Sequence, residues 1–443
     1  MQRPRTAVVG SGMGGLCTAL ILKKNGFEPV VFEKSDHPGG SFWSYPQGDY
    51  QVDTGLHMLT RGTTGELPVL MKQFISPDIF KSNFAAQKCY RFYLGEKSDV
   101  IPQNLSQLLK FSLIQKQDRT AFLRMYLKFL RMGRSGTAKY PDTATYDFIR
   151  KYVRSDDMLA FLNALCWMST GTNIKEGALV RFVDTLVRNK RLSPAYVLRN
   201  VLPSGHATEE DWYPLGGLKA VPGLFIGQGL DVKTGSEVKK IVVSRGKVQG
   251  VIIGKDFFEA DLVVYDGKVR DLNKTIEGGY FEGPMPKEDE YRSITVWLGF
   301  SQKVADWQRE SRIDIMRDLT SPNWGCFVSD FDPSLAPAGH QLFGMSAITH
   351  GSEKELLNSM HQSIEKFLPG FERYVDMKHI QSCRAEKTLQ NAANSMWNLP
   401  QQKTNITGLY IVGTDTKGFG SGGTLCADSA RRCWKFVQKD LSA

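Results

Sequence analysis

Long hydrophobic runs are missing from this 443-residue chain. No stretch approaches the ~18 uninterrupted apolar residues that a membrane-spanning helix needs. No export leader is expected either. Arg3, Arg5 and the run Thr6 to Val9 open like one, but the run is short and leads into glycines without a small-residue cleavage site. The expectation is a protein that stays in the cytoplasm. The seven cysteines (Cys17, Cys89, Cys166, Cys326, Cys383, Cys426 and Cys433) are scattered and include no Cys-x-x-Cys pair. That fits reduced buried thiols and argues against a disulfide framework or a zinc site. The seven histidines are equally dispersed, with neither His-x-x-x-His nor His-Glu-x-x-His, so no metal is expected.

What is present is an ordinary globular composition, 41% hydrophobic and 23% charged, over a length that suggests two or three domains. The formal net charge is +10, and it is concentrated. Between Lys110 and Arg154 stand eleven basic and three acidic residues, an excess of eight. Within this segment, Thr120 to Gly133 reads as an amphipathic helix. Arg124, Lys128 and Arg131 fall within about 60° of one another, opposite Phe122, Tyr126 and Phe129. The basic face is either the solvated side of a core-packed helix or a patch for an anionic membrane surface. No recognition motif accompanies it, so nucleic acid is not an expected partner.

The strongest signal is at the N-terminus. Thr6 to Val9 reads as a buried parallel strand, followed by Gly10-Ser-Gly12-Met13-Gly14-Gly15, a helix from Leu16 to Asn25, and a second strand from Pro29 to Phe32 that ends at Glu33. Gly10 permits the tight turn, Gly12 lets a pyrophosphate approach the backbone, and Gly15 permits close helix–strand packing. The helix N-terminus offers N–H groups to the phosphates. Glu33 can accept hydrogen bonds from ribose hydroxyls and would repel a 2′-phosphate, which disfavours NADP. The continuation is Lys34-Ser-Asp-His-Pro-Gly39-Gly40, then Asp53-Thr-Gly55-Leu-His57. Near the other end, Gly408 to Asp415 reads as a strand entering a glycine-rich loop that opens a helix from Thr424 to Val437. No second dinucleotide fingerprint appears.

On these motifs the chain resembles the FAD-dependent superfamily of amine oxidases, protoporphyrinogen oxidase and phytoene desaturases. It is most similar to the phytoene dehydrogenase-like branch of carotenoid desaturases, carotenoid isomerases and retinol saturases. Pro214-Leu-Gly216-Gly217, Glu237 to Ile241, Phe258 to Val264 (one strand returning to the nucleotide domain) and Ser293 to Phe300 extend the resemblance along the chain. It implies an α/β fold: a Rossmann-like FAD-binding domain from residues 1–75, 212–281 and 402–443, with an inserted α+β substrate domain from 76–211 and 282–401.

The resemblance also implies site residues. Gly10, Gly12, Met13, Gly14 and Gly15 would cradle the pyrophosphate of FAD, and Glu33, with Lys34 beside it, would meet the adenosine ribose. Val238 would hold the adenine through its backbone. Gly39, Gly40 and Ser41 would pass along the pyrophosphate and ribityl chain, which Gly413 and Asp415 approach from the C-terminal motif. Gly422, Gly423 and Thr424 would start a helix whose positive end faces the flavin. His57 is the candidate group beside the isoalloxazine, and Lys417 is a weaker one. Ser41 stands where the family usually has Arg or Lys, Tyr265-Asp266 replaces the usual Asn, and the C-terminal glycine loop is shorter than in many carotenoid desaturases. The implied activity is hydride transfer between flavin N5 and an apolar isoprenoid or polyene, with electrons exchanged with oxygen, a quinone or another external carrier. Two alternatives stand beside it: an amine or protoporphyrinogen-type oxidase, and a non-enzymatic prenyl-lipid-binding protein like the Rab GDP-dissociation inhibitors.

Overall fold

The computed structural model describes residues 4–62, 64–102, 107, 110–187, 211–288, 290–384 and 389–442. Five short strands, β1 (Thr6–Val9), β2 (Pro29–Phe32), β3 (Asp231–Lys233), β4 (Leu262–Tyr265) and β5 (Leu409–Ile411), form a parallel sheet in the order β5-β4-β1-β2-β3. Its central strands are apolar because both faces are covered. The register sets Val9 beside both Phe32 and Tyr265, and Tyr265 beside Ile411. Four neighbouring strands therefore release their chains on one level, at one edge of the sheet.

Helix α1 (Met13–Lys24) starts three residues earlier than the sequence suggests, because Gly12 serves as its N-cap with extended backbone angles. Residues Met13 to Leu22 are all buried, so α1 is a core helix rather than an amphipathic one. The helix of the C-terminal motif packs along it, with Phe27 and Trp434 in edge contact at 6.0 Å.

The segment Phe258 to Val264, expected as a single strand, is two strands in two sheets. Asp256–Glu259 pairs with Lys247–Ile253 in a four-stranded sheet, whereas Leu262–Tyr265 enters the parallel one. The break has a local cause. The Arg5 carbonyl accepts the N–H of both Asp261 and Leu262, at 2.9 and 3.1 Å, and the Arg5 N–H donates to the Asp261 carboxylate. The chain cannot stay in the hairpin ladder while making those bonds.

A third, seven-stranded mixed sheet takes strands from Cys89–Leu94 and Lys97–Val100 and from Arg292 to Arg384. Only the pairing of Glu310–Asp314 with Cys89–Leu94 is parallel. The fold is thus α/β, as expected, with a parallel nucleotide-type sheet and a mixed second sheet. The basic helix α2 (Lys116–Gly136) is longer than the sequence pattern suggests. Its apolar side, Phe122, Met125, Phe129 and Leu130, is buried in a cluster with Phe161 and Phe182, while Arg124, Lys128 and Arg131 are exposed. At Gly133 the backbone turns to φ 58° and ψ −175°, a left-handed excursion that favours glycine, and this break lets Arg134 point inward. Among the described residues no helix is long and apolar enough to cross a membrane.

Candidate cofactor and substrate site

The four chain exits at the edge of the parallel sheet converge on one cradle, the usual ligand position in open α/β sheets. Gly10 leaves β1 with φ +97° and donates its N–H to the Phe32 carbonyl at 2.8 Å. A Cβ on Gly12 would lie 2.6 Å from Asp266 Oδ2, one on Gly14 would strike Asp266 Oδ1, and one on Gly15 would strike the Gly10 carbonyl. Gly413, leaving β5, and the Gly39-Gly40 turn close two further sides. A Cβ on Gly40 would come 3.4 Å from the Gly12 Cα, and the Gly39 N–H bonds the Ser11 carbonyl at 3.0 Å. Helix α1 opens here with no side-chain cap and no acid in its first turn, so its N–H groups and dipole face the cradle. A dianionic pyrophosphate fits that donor set, and Gly10, Gly12, Gly14, Gly15, Gly39 and Gly413 each sit where a side chain would intrude.

Glu33 is only 6% exposed. Its Oε2 accepts the N–H and hydroxyl of Ser11 at 2.8 and 2.7 Å, and its Oε1 accepts the Ser35 N–H at 2.9 Å. Burial pushes the carboxyl up, but the Ser35 and Ser11 donors outweigh burial and hold it below the usual range. Two of its roughly four lone-pair positions thus brace the glycine loop through Ser11, and a third holds the turn after β2 through Ser35. Its carbonyl accepts the Ser236 N–H at 2.7 Å, which brings the start of Val238–Ser244 to the same corner. Lys34 and Ser41 are exposed, and Ser41 also lines the cavity described below. Asp415 is buried, and one of its oxygens accepts the Val269 N–H at 3.2 Å. Lys417 is held through its backbone, its N–H on the Pro400 carbonyl at 2.9 Å.

Helix α3 (Leu179–Val187) and helix α4 (Gly422–Leu441) frame the second half of the site. The latter starts two residues before the expected Thr424 because Ser421 and Thr424 form a capping box around its first turn. A cavity of about 280 Å³ runs from this N-terminus, Gly422 to Leu425, toward the seven-stranded sheet. His57, Phe42, Trp167, Tyr291 and Trp324 line it. The Trp324 Nε1 is buried and has no protein acceptor among the described residues. His57 lines this cavity and is half-buried.

Behind the α4 entry loop lies a charge cluster that no sequence pattern announced. Arg181, 1% exposed, donates from Nη1 to the carbonyls of Gly418 and Gly420, both at 2.7 Å, and from Nε to Gln390 at 2.7 Å. Burial pulls its guanidinium down to about 10. Asp184, on the next turn of α3, accepts from Arg61 at 2.5 Å, from Arg134, and from the Gly420 N–H at 2.8 Å. These groups come from residues 61, 134, 181, 184 and 420, which are far apart in sequence; only the fold brings them together.

A parallel sheet with a glycine cradle at its edge, and a cavity ending on a second helix N-terminus, is the arrangement of a dinucleotide-binding α/β protein. Residues 13–433 match the family described as flavin containing amine oxidoreductase, and the chain belongs to that family. It is a flavin-dependent oxidoreductase with carotenoid isomerases and desaturases among its distant homologues. It is 22% identical to a chloroplastic prolycopene isomerase of Daucus carota over 98% of this chain and 80% of that one. A zeta-carotene-forming phytoene desaturase of Myxococcus xanthus is 27% identical over 59% of this chain and 53% of its own. The fold matches an oxidoreductase from Methanosarcina mazei with a TM-score of 0.73 at 20% identity, covering 98% and 100% of the two chains.

Proposed function

We propose that the protein is an FAD-dependent oxidoreductase acting on an apolar isoprenoid or polyene by desaturation, saturation or isomerisation. When bound, FAD would supply the hydride acceptor or donor. Residues 1–75, 212–281 and 402–443 form its binding domain in this reading, and 76–211 and 282–401 cap the substrate. The first turn of α1 with Gly12, Met13 and Gly14 takes the pyrophosphate, Glu33 and Val238 the adenosine end, and Gly39, Gly40 and Gly413 the middle. The N-terminus of α4 at Gly422 to Thr424 offers positive potential to the negative charge that reduction places on the flavin. His57 positions the substrate or moves a proton at the cavity wall. Electrons pass to or from oxygen, a quinone or another external carrier.

The observation that carries the substrate class is the cavity. Phe42, Leu56, Met58, Trp167 and Ile348 make its wall largely apolar, and Met168, 40% exposed, marks where it meets solvent. Because Gly422 to Thr424 line it too, the flavin ring and the substrate share this cavity of about 280 Å³, against the ~300–1,000 Å³ typical of small-molecule sites. A long polyene therefore enters by one segment, with the remainder outside. The exposed Arg124, Lys128 and Arg131 face supports delivery from an anionic membrane surface. A smaller amphiphilic substrate, as for an amine or protoporphyrinogen-type oxidase, is the second reading, favoured by Ser293, Ser321 and Ser346 in the same lining.

The test has two stages. The visible spectrum of the purified protein, with the released cofactor identified, must show FAD. Anaerobic bleaching or reoxidation by liposome-borne polyenes then supports the leading reading, whereas bleaching by simple amines alone replaces it with the second.

A further inference from the structure

Asp266 follows β4 directly, and its carboxylate sits inside the glycine cradle rather than beside it. Oδ2 accepts the Gly15 N–H at 2.7 Å, the third N–H of the α1 first turn. The same oxygen is the atom a Cβ on Gly12 would meet at 2.6 Å, and Oδ1 is the atom a Cβ on Gly413 would meet at 2.8 Å. A carboxylate thus already occupies part of the positive field that a pyrophosphate would use. The side chain is partly open to solvent although protein atoms crowd it closely. The groups facing it are Glu33 at the end of β2, Asp415 after β5, Cys17 on α1 and Tyr265 on its own strand. The two charges that act on it, Glu33 and Asp415, are both negative.

Burial, followed by Glu33 and Asp415, outweighs the Gly15 N–H and pushes the Asp266 carboxyl up to about 7. Glu33 is held low, while Cys17 and Tyr265 are pushed up, the latter to about 12. Among these, the proton that exchanges near neutrality belongs to Asp266.

We propose that Asp266 is a proton-linked gate on the dinucleotide cradle: the cofactor binds to the form in which Asp266 carries a proton, and binding takes one up when it does not. This rests on the reading that a flavin dinucleotide occupies the cradle. The protonated carboxyl still accepts the Gly15 N–H through its carbonyl oxygen, and its O–H can donate to a phosphate oxygen. The ionised carboxylate has no donor to offer and sets a third negative charge against the two of the pyrophosphate.

Linkage fixes the sign. Well below about pH 7, the value to which the free carboxyl is raised, affinity is flat. Above it, the fall steepens toward about tenfold per pH unit until the complex itself loses the proton.

Equilibrium binding of FAD to the full chain, read by flavin fluorescence from about pH 5.5 to about pH 9, tests this. Calorimetry in buffers of different ionisation enthalpy counts protons taken up. The expected result is a falling affinity with proton uptake for the native chain, and tight, pH-independent binding without uptake for Asp266→Asn. A native affinity that stays flat, or an Asp266→Asn variant that keeps the native slope, overturns the gate and leaves FAD binding standing. Failure of both chains, each confirmed folded by circular dichroism, to bind FAD at any pH overturns the FAD reading and the gate with it.

Discussion

Asp184 offers the sharpest test of how the loop at the start of α4 is held. It is 1% exposed and balances Arg61 and Arg134, with Arg181 close by and Glu66 as the second carboxylate on Arg61 and Arg134. Asp184→Ala removes the carboxylate that pairs with Arg61 and Arg134, leaves Glu66 as their remaining ion-pair partner, and strips the Gly420 N–H of its acceptor. Breaking a buried ion pair from one side costs about 3–5 kcal/mol. At a urea dependence of about 3 kcal/mol per M, the unfolding midpoint should fall by on the order of 1 M. Asp184→Asn, which keeps an acceptor for Gly420 but loses the charge, should fall in between. Flavin retention on gel filtration should drop in parallel, because Gly420 is two residues before the first turn of α4. A midpoint for Asp184→Ala within about 0.2 M of the native chain would refute the reasoning, since it would mean that the cluster is solvated or self-compensating. The same carboxyl carries a pH signature. Burial alone would raise it, but Arg61 and Arg134 hold it below the usual range. Its stabilisation is therefore fully present above the unfolded value of about 3.9 and is lost as pH falls through the lower folded value.

Three further outcomes are expected. Gly15→Ala sets a methyl against the Gly10 carbonyl, a backbone atom that cannot yield cheaply; about 1–3 kcal/mol of stability and the bound flavin should be lost together, seen as a lower melting temperature and a colourless preparation. Replacing Arg124, Lys128 and Arg131 by Gln should leave stability within about 0.5 kcal/mol, because the three are exposed. Partitioning onto anionic vesicles should nevertheless weaken by about 100-fold, at about 1 kcal/mol per residue, and unchanged co-sedimentation would end the membrane reading. His57→Ala should keep flavin binding and reduce turnover by roughly 10²–10⁴-fold if the ring moves a proton, so that a turnover within a factor of two of native would remove it from the mechanism.

The glycine spacing from Gly10 to Gly15 and the acid at Glu33 were legible because a phosphate-binding turn imposes local demands: a tight turn, close backbone approach and a free helix end lie within a few consecutive residues. The amphipathic pattern of α2 was legible for the same reason, since one helix turn repeats its own geometry. The split of Phe258 to Val264 into two strands was not, because the choice is made by the Arg5 carbonyl some 250 residues away. Asp266 could be read from the chain only as a departure from a pattern. That its carboxylate enters the cradle depends on the register of β4 against β1, and its raised proton affinity depends first on burial there and then on Glu33 and Asp415 arriving from other segments. Local sequence determined the glycine turn, the helix faces and the α/β class, because those follow from bonds and periodicities within one segment. Tertiary structure alone decided the cavity at the α4 N-terminus, the Arg181–Asp184 support and the carboxyl inside the cradle, because each is an electrostatic or packing relation between segments that share no local pattern.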